Sequence, residues 1–101
     1  MERNYVIVKK AFEIKRRGTA IHPKESLSPI YFGKKFSVLL EYPHGGNKQT
    51  EAVVESLLIS ASEDNELFTF LLSELNPEDV PCDTKISILR EIKWKFSCRN
   101  L

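Results

Sequence analysis

The sequence predicts an all-β chain, a barrel or a sandwich of short antiparallel strands. Three observations carry this. Apolar residues recur with period two, most clearly from Lys85 onward, where Ile86, Ile88, Ile92, Trp94 and Phe96 share one parity. Turn signals recur at short intervals: Gly18, HPKESLSP (22–29), Gly33, PHGGNK (43–48), ASEDNE (61–66) and NPEDVP (76–81). Few stretches suggest helix, and short strands at this spacing build barrels or sandwiches.

The elements follow in order. Tyr5–Val8 is an apolar strand, and Phe12 and Ile14 then alternate with Glu13 and Lys15 up to the glycine at 18. The polar, proline-bounded run 22–29 is a loop. Phe36, Val38, Leu40 and Tyr42 alternate with Ser37, Leu39 and Glu41, which gives a strand with one apolar face. In the next loop Gly45 or Gly46 can supply a positive φ.

The segment Thr50–Ser62 fits a strand or a helix, because Val53, Val54, Leu57 and Leu58 also satisfy helical spacing. The turn signals HGGN and SEDNE on either side favour the strand. Leu67–Leu72 is a further apolar strand. Like Tyr5–Val8 and Ala52–Ile59, it reads as buried on both faces or at a seam. Asn76-Pro77-Glu78-Asp79 has the order of a helical turn: cap, proline at the first position, acids in the first turn. In the last strand Arg90 interrupts the apolar parity and marks a bulge or a rim crossing.

The chain of 101 residues fits one domain, residues 1–101. Its net charge of +1 conceals blocks. Residues 1–50 hold ten Lys and Arg against four Asp and Glu; residues 51–84 hold nine acids and no Lys or Arg; residues 85–101 hold five bases and one acid. Segregated in space, these blocks would make a basic and an acidic side; interleaved, they are solvated faces. The start MERNYVIV lacks the apolar run of an export signal, no window approaches a membrane span, and the expected compartment is the cytoplasm. There Cys82 and Cys98 are expected as free thiols.

The order of these features resembles the second domain of translational GTPases such as elongation factor Tu. Phe12, Ile14, Arg17, Gly18 and Thr19 match that family's first signature; Gly33 matches the glycine before a strand. Leu71, Leu72, Leu75, Glu78, Asp79 and Val80 match its Leu-rich strand and acidic turn. The resemblance spans about Asn4 to Ile88. It implies a small closed antiparallel barrel of six or seven strands with one helical turn, standing alone. Three departures stand out. His22-Pro23 occupies a place where the family has glycine, Cys82-Asp83 replaces the glycine before the last strand, and no GxxxxGK[ST] occurs, so neither GTP nor a GTPase activity is expected.

Chemistry finds little support. His22, His44, Cys82 and Cys98 have no zinc-type spacing, so no metal or other cofactor is expected. Cys82 with a distant histidine could make a nucleophilic dyad, but packing beneath the helical turn explains it more simply. Glu78 and Asp79 read as helix-start acids. The chain is therefore expected not to be an enzyme.

A non-catalytic binding module remains. It would dock on a protein partner or a second copy through Tyr31, Phe32, Leu101 and the FTFLL strand, the acidic block facing a basic patch in a homo-oligomer. The alternative is RNA, tRNA- or ribosome-associated, bound on a basic face of Lys9, Lys10, Lys15, Arg16, Arg17, Lys34 and Lys35 with Tyr5, Tyr31 or Phe32 for stacking. The family's domain contacts the acceptor end of aminoacyl-tRNA, but no ligand residue transfers by motif. Arg17-Gly18-Thr19 itself is not a phosphate cradle, which needs several glycines on a strand-to-helix turn. Gly18 and Thr19 are expected as a structural turn where the strand bends, with Arg16 or Arg17 at the rim.

Overall fold

The computed structural model describes residues 4–58 and 66–93. Six strands form a closed barrel: β1 Tyr5–Ile14, β2 Gly18–Pro23, β3 Lys35–Glu41, β4 Asn47–Leu58, β5 Glu66–Leu72 and β6 Lys85–Ile92. Around the barrel they run β1-β2-β5-β4-β3-β6, and every neighbouring pair is antiparallel. This is the expected architecture, with the smaller of the two strand numbers. Thr50–Ser62 resolves as strand as far as Leu58; residues 59–62 lie outside the described residues.

The only helical pieces among the described residues are two 3-10 turns. Pro77–Asp79 is the expected one, closed by the Asn76 backbone N–H donating to Asp79 Oδ2 at 3.0 Å. Pro29–Tyr31 was not anticipated; Ser28 caps it by accepting from the Ile30 N–H at 3.4 Å. The loop leading to it is also less polar in function than in composition. Leu27 is fully enclosed, its N–H donates to the Phe68 carbonyl at 2.8 Å, and Ser26 Oγ accepts from the Phe68 N–H at 2.9 Å. These contacts fill the seam where β2 and β5 share only two register pairs, Thr19 with Leu72 and Ala20 with Leu71.

The barrel interior is Val6, Val8, Ile21, Leu27, Phe36, Val38, Leu40, Ala52, Val54, Phe70, Leu72, Leu75, Val80 and Ile86. Fully burying one such large side chain stabilises by about 1.5–3 kcal/mol. An exposed ion pair contributes about 0–1 kcal/mol. The interior therefore holds the barrel closed, and the surface charges are left for other work.

Two bulges correct the sequence parity. In β1 the register shifts between Val8 and Lys10, so Lys9 is the extra residue. Ala11 then faces inward opposite Ile21, and Phe12 lies on the outer face opposite Ala20. Phe12 and Ile14 are half-buried on the barrel exterior, not in its core. In β6, Val38 pairs with Ile88 and Ser37 with Arg90, which leaves Leu89 unpaired. Of the two readings of Arg90, a bulge or a rim crossing, the structure shows a bulge with Leu89 as the extra residue, and Ile92 accordingly lies on the outer face opposite Lys35. Trp94 and Phe96 lie outside the described residues.

The glycine loop closes the β3–β4 hairpin with both Gly45 and Gly46 at positive φ, 103° and 88°. The turn into β6 places Asp83 at φ 74°. Its N–H donates to the Val8 carbonyl at 2.8 Å, and the Val8 N–H donates to the Thr84 carbonyl at 2.9 Å, so this turn is fastened to β1. Val80 is buried beneath the Pro77–Asp79 turn; Cys82 is exposed and does not pack there, which corrects the expectation for that thiol.

Candidate interaction groove

Lys15, Arg16 and Arg17 form the connection between β1 and β2. The Arg17 N–H donates to the Ile14 carbonyl at 2.9 Å, which closes a β-turn with Arg16 in its third position at φ 68°. Gly18 follows at φ 121°, its backbone pressed on Leu72 and Ser73. Thr19 is buried and its hydroxyl donates to the Leu75 carbonyl at 2.6 Å. The Arg-Gly-Thr run is thus a structural turn, as the single glycine indicated, and it holds both arginines at the rim.

Beside this rim lies a groove of about 610 Å³ lined by Arg16, Arg17, Phe32, Gly33, Val53–Ser56 and Leu71. Its floor belongs to an apolar row on the barrel exterior. Phe12 stands opposite Ala20, Ala20 opposite Leu71, and Leu71 opposite Val53, all on the outward parity. Phe32 is 55% exposed and meets Phe68 edge-on, ring centroids 5.7 Å apart. The Gly33 N–H donates to the Val54 carbonyl at 2.9 Å and the Val54 N–H to the Lys34 carbonyl at 3.0 Å, which lays the 32–34 segment along β4.

The charge blocks interleave rather than segregate at this place. Arg17 makes an ion pair with Glu55 inside the groove, Lys35 with Glu51 at 3.2 Å, and Lys24 with Asp83 at 2.6 Å. Arg16 and Lys34 are exposed and make no ion pair among the described residues. Lys9 and Lys10 stand apart, around the β1 bulge and beside His22, which pairs with Lys10 across the hairpin. Burial, and then the charges of Lys9 and Lys10, push the His22 imidazole below its ordinary value of 6.5.

The seven basic candidates therefore divide. Arg16 and Arg17 line the groove; Lys34 follows Gly33, which lines it; Lys35 lies next to it across from Val53; Lys15 shares the arginine turn; Lys9 and Lys10 do not join them. Of the three aromatic candidates, Phe32 is available. Tyr31 is half-buried with its ring edge-on to the core Phe36 at 5.5 Å, so it is a packing residue. Tyr5 is covered by Lys85, whose Nζ lies 4.9 Å from its ring centre. In the FTFLL strand Thr69, Phe70 and Leu72 are buried, leaving only Phe68 and Leu71 partly accessible. Leu101 and Cys98 lie outside the described residues. Val53 and Leu71 were missed as surface residues because continuous apolar runs hide which parity faces out; the register of β4 on β5 resolves them.

Among the described residues no group of three or more His, Cys, Asp or Glu is placed to hold a metal ion, and no helix is long and apolar enough to cross a membrane. No protein-family model, curated protein or solved structure matches the chain.

Proposed function

We propose that this barrel is a non-catalytic module that docks on a protein partner through the groove between the Arg16–Arg17 turn and Phe32. The observation that carries this is the meeting of an exposed aromatic ring, an apolar floor of Val53 and Leu71, and charged rim groups in one concave place. Such a mixture of apolar centre and polar rim is the anatomy of protein–protein contacts. RNA is the less favoured partner, because Lys9 and Lys10 stand apart from the groove and Arg17 is already neutralised by Glu55.

A relation to the second domain of translational GTPases belongs to the same proposal. It is supported by the closed six-stranded antiparallel barrel, by the Gly18 and Thr19 turn, and by Asp83 taking a left-handed conformation where that family has glycine.

The test places a photoreactive side chain at position 32 or, as control, at position 9. A protein adduct formed from position 32 and not from position 9 supports the module. Equal adducts from both positions, or an RNA shift that Lys15→Glu with Arg16→Glu abolishes, would overturn it.

A further inference from the structure

Resting on that reading, we infer that the groove receives an acidic, apolar segment of the partner: a large apolar side chain against Phe32, Val53 and Leu71, with carboxylates beside Arg16 and Lys34. The argument is one of charge complementarity. Among the described residues two cations line the groove, Arg16 and Arg17, and one acid, Glu55; Lys34 directly follows the lining residue Gly33. Glu55 is occupied by Arg17. Next to the groove Lys35 is likewise matched by Glu51. Among the described residues the uncompensated charge is therefore positive: Arg16 on the β1–β2 turn lines the groove, and Lys34 is the next residue after Gly33.

The backbone supports this division of labour. Arg16 occupies a left-handed position, φ 68°, which fixes the direction in which its side chain leaves the turn. Lys34 is anchored through its own carbonyl, which accepts from the Val54 N–H at 3.0 Å, and through its N–H, which donates to the Tyr31 carbonyl at 3.1 Å. Two cations on fixed backbone, one lining the apolar strip and one following its residue Gly33, favour a carboxylate over a cation at those places. A basic segment would bring like charges together, and among the described residues lining the groove no spare acid would receive them.

The experiment is a selection of displayed random dodecapeptides on the full chain, followed by titration of the best clones as free peptides. The expected pool joins Asp or Glu to Phe, Leu or Trp. Its affinity should fall at least about tenfold on Arg16→Asp with Lys34→Glu, and similarly on Phe32→Ala, while Lys9→Glu with Lys10→Glu leaves it unchanged. Aspartate is chosen at position 16 because it tolerates the left-handed conformation; thermal melts of both variants should match the parent. A basic or uncharged pool, or an acidic pool indifferent to the groove variants, overturns this inference and leaves the module reading standing. Failure to enrich any peptide, with an RNA shift present, overturns both.

Discussion

Gly18 lies directly against the backbone of Leu72: a β-carbon at this position would stand 2.5 Å from the Leu72 carbonyl oxygen and 2.7 Å from the Ser73 Cα. Neither contact can relax by a rotamer change, since both partners are main chain. The φ of 121° adds strain for any other residue. Gly18→Val should therefore cost about 2–4 kcal/mol, measured as a shift in the urea midpoint with unchanged slope. A variant that melts with the parent would show that neither the close approach nor the positive φ demands glycine at the turn.

The buried threonines should behave oppositely. Thr19 donates to the Leu75 carbonyl at 2.6 Å, whereas Thr69 Oγ1 is buried without a partner among the described residues. Thr19→Val leaves an enclosed carbonyl unmatched and should destabilise by about 1–3 kcal/mol. Thr69→Val removes a hydroxyl that gains nothing from burial and should be neutral or stabilising by about 1 kcal/mol. Parallel thermal melts decide, and equal losses at both positions would contradict the hydrogen-bond assignment.

The Arg17–Glu55 pair is expected to matter little to stability. Their side chains are 53% and 35% exposed, so solvent screens the attraction. A double-mutant cycle with Arg17→Ala and Glu55→Ala should give a coupling of about 0.2–1 kcal/mol, smaller still in high salt.

His22 should impose a mild acid sensitivity. Its imidazole is held below 6.5 by burial and by Lys9 and Lys10, so the folded chain takes up this proton less readily than the unfolded one. Stability should then rise with pH between the folded value and 6.5, and fall as pH drops through that window. His22→Gln should flatten the dependence there. Lys10→Ala should move the titration of His22, followed by NMR, upward; a downward move would show that the lysines do not act on it.

Much of the barrel was legible because period-two apolar patterning and turn residues act locally. Gly18, the Pro77–Asp79 turn and the pair Gly45–Gly46 announced themselves through backbone chemistry that no neighbour can override. The bulge residues Lys9 and Leu89 did not. A bulge is decided by how two strands meet, and one extra residue moves every later side chain to the opposite face. For this reason period two alone sets Phe12 and Ile14 on the parity of Val6 and Val8, and Ile92 on that of Ile86 and Ile88, and the outer apolar row cannot be read from it. The groove was half visible: Arg16, Arg17 and Phe32 could be named, but their meeting depends on β4 and on contacts some twenty or more residues apart in sequence, such as Gly33 with Val54.

β6 pairs with β1 on one side and β3 on the other. During synthesis, a ribosome releasing residues from the N-terminus can assemble at most an open sheet of the first five strands. Both of its borders, β1 and β3, then offer unpaired backbone to any passing chain. At about 5–20 residues per second this interval lasts on the order of a second. A nascent chain stalled before Lys85 would therefore be the species most prone to aggregate, and a peptide spanning Lys85–Ile92 supplied in trans would be its natural cap.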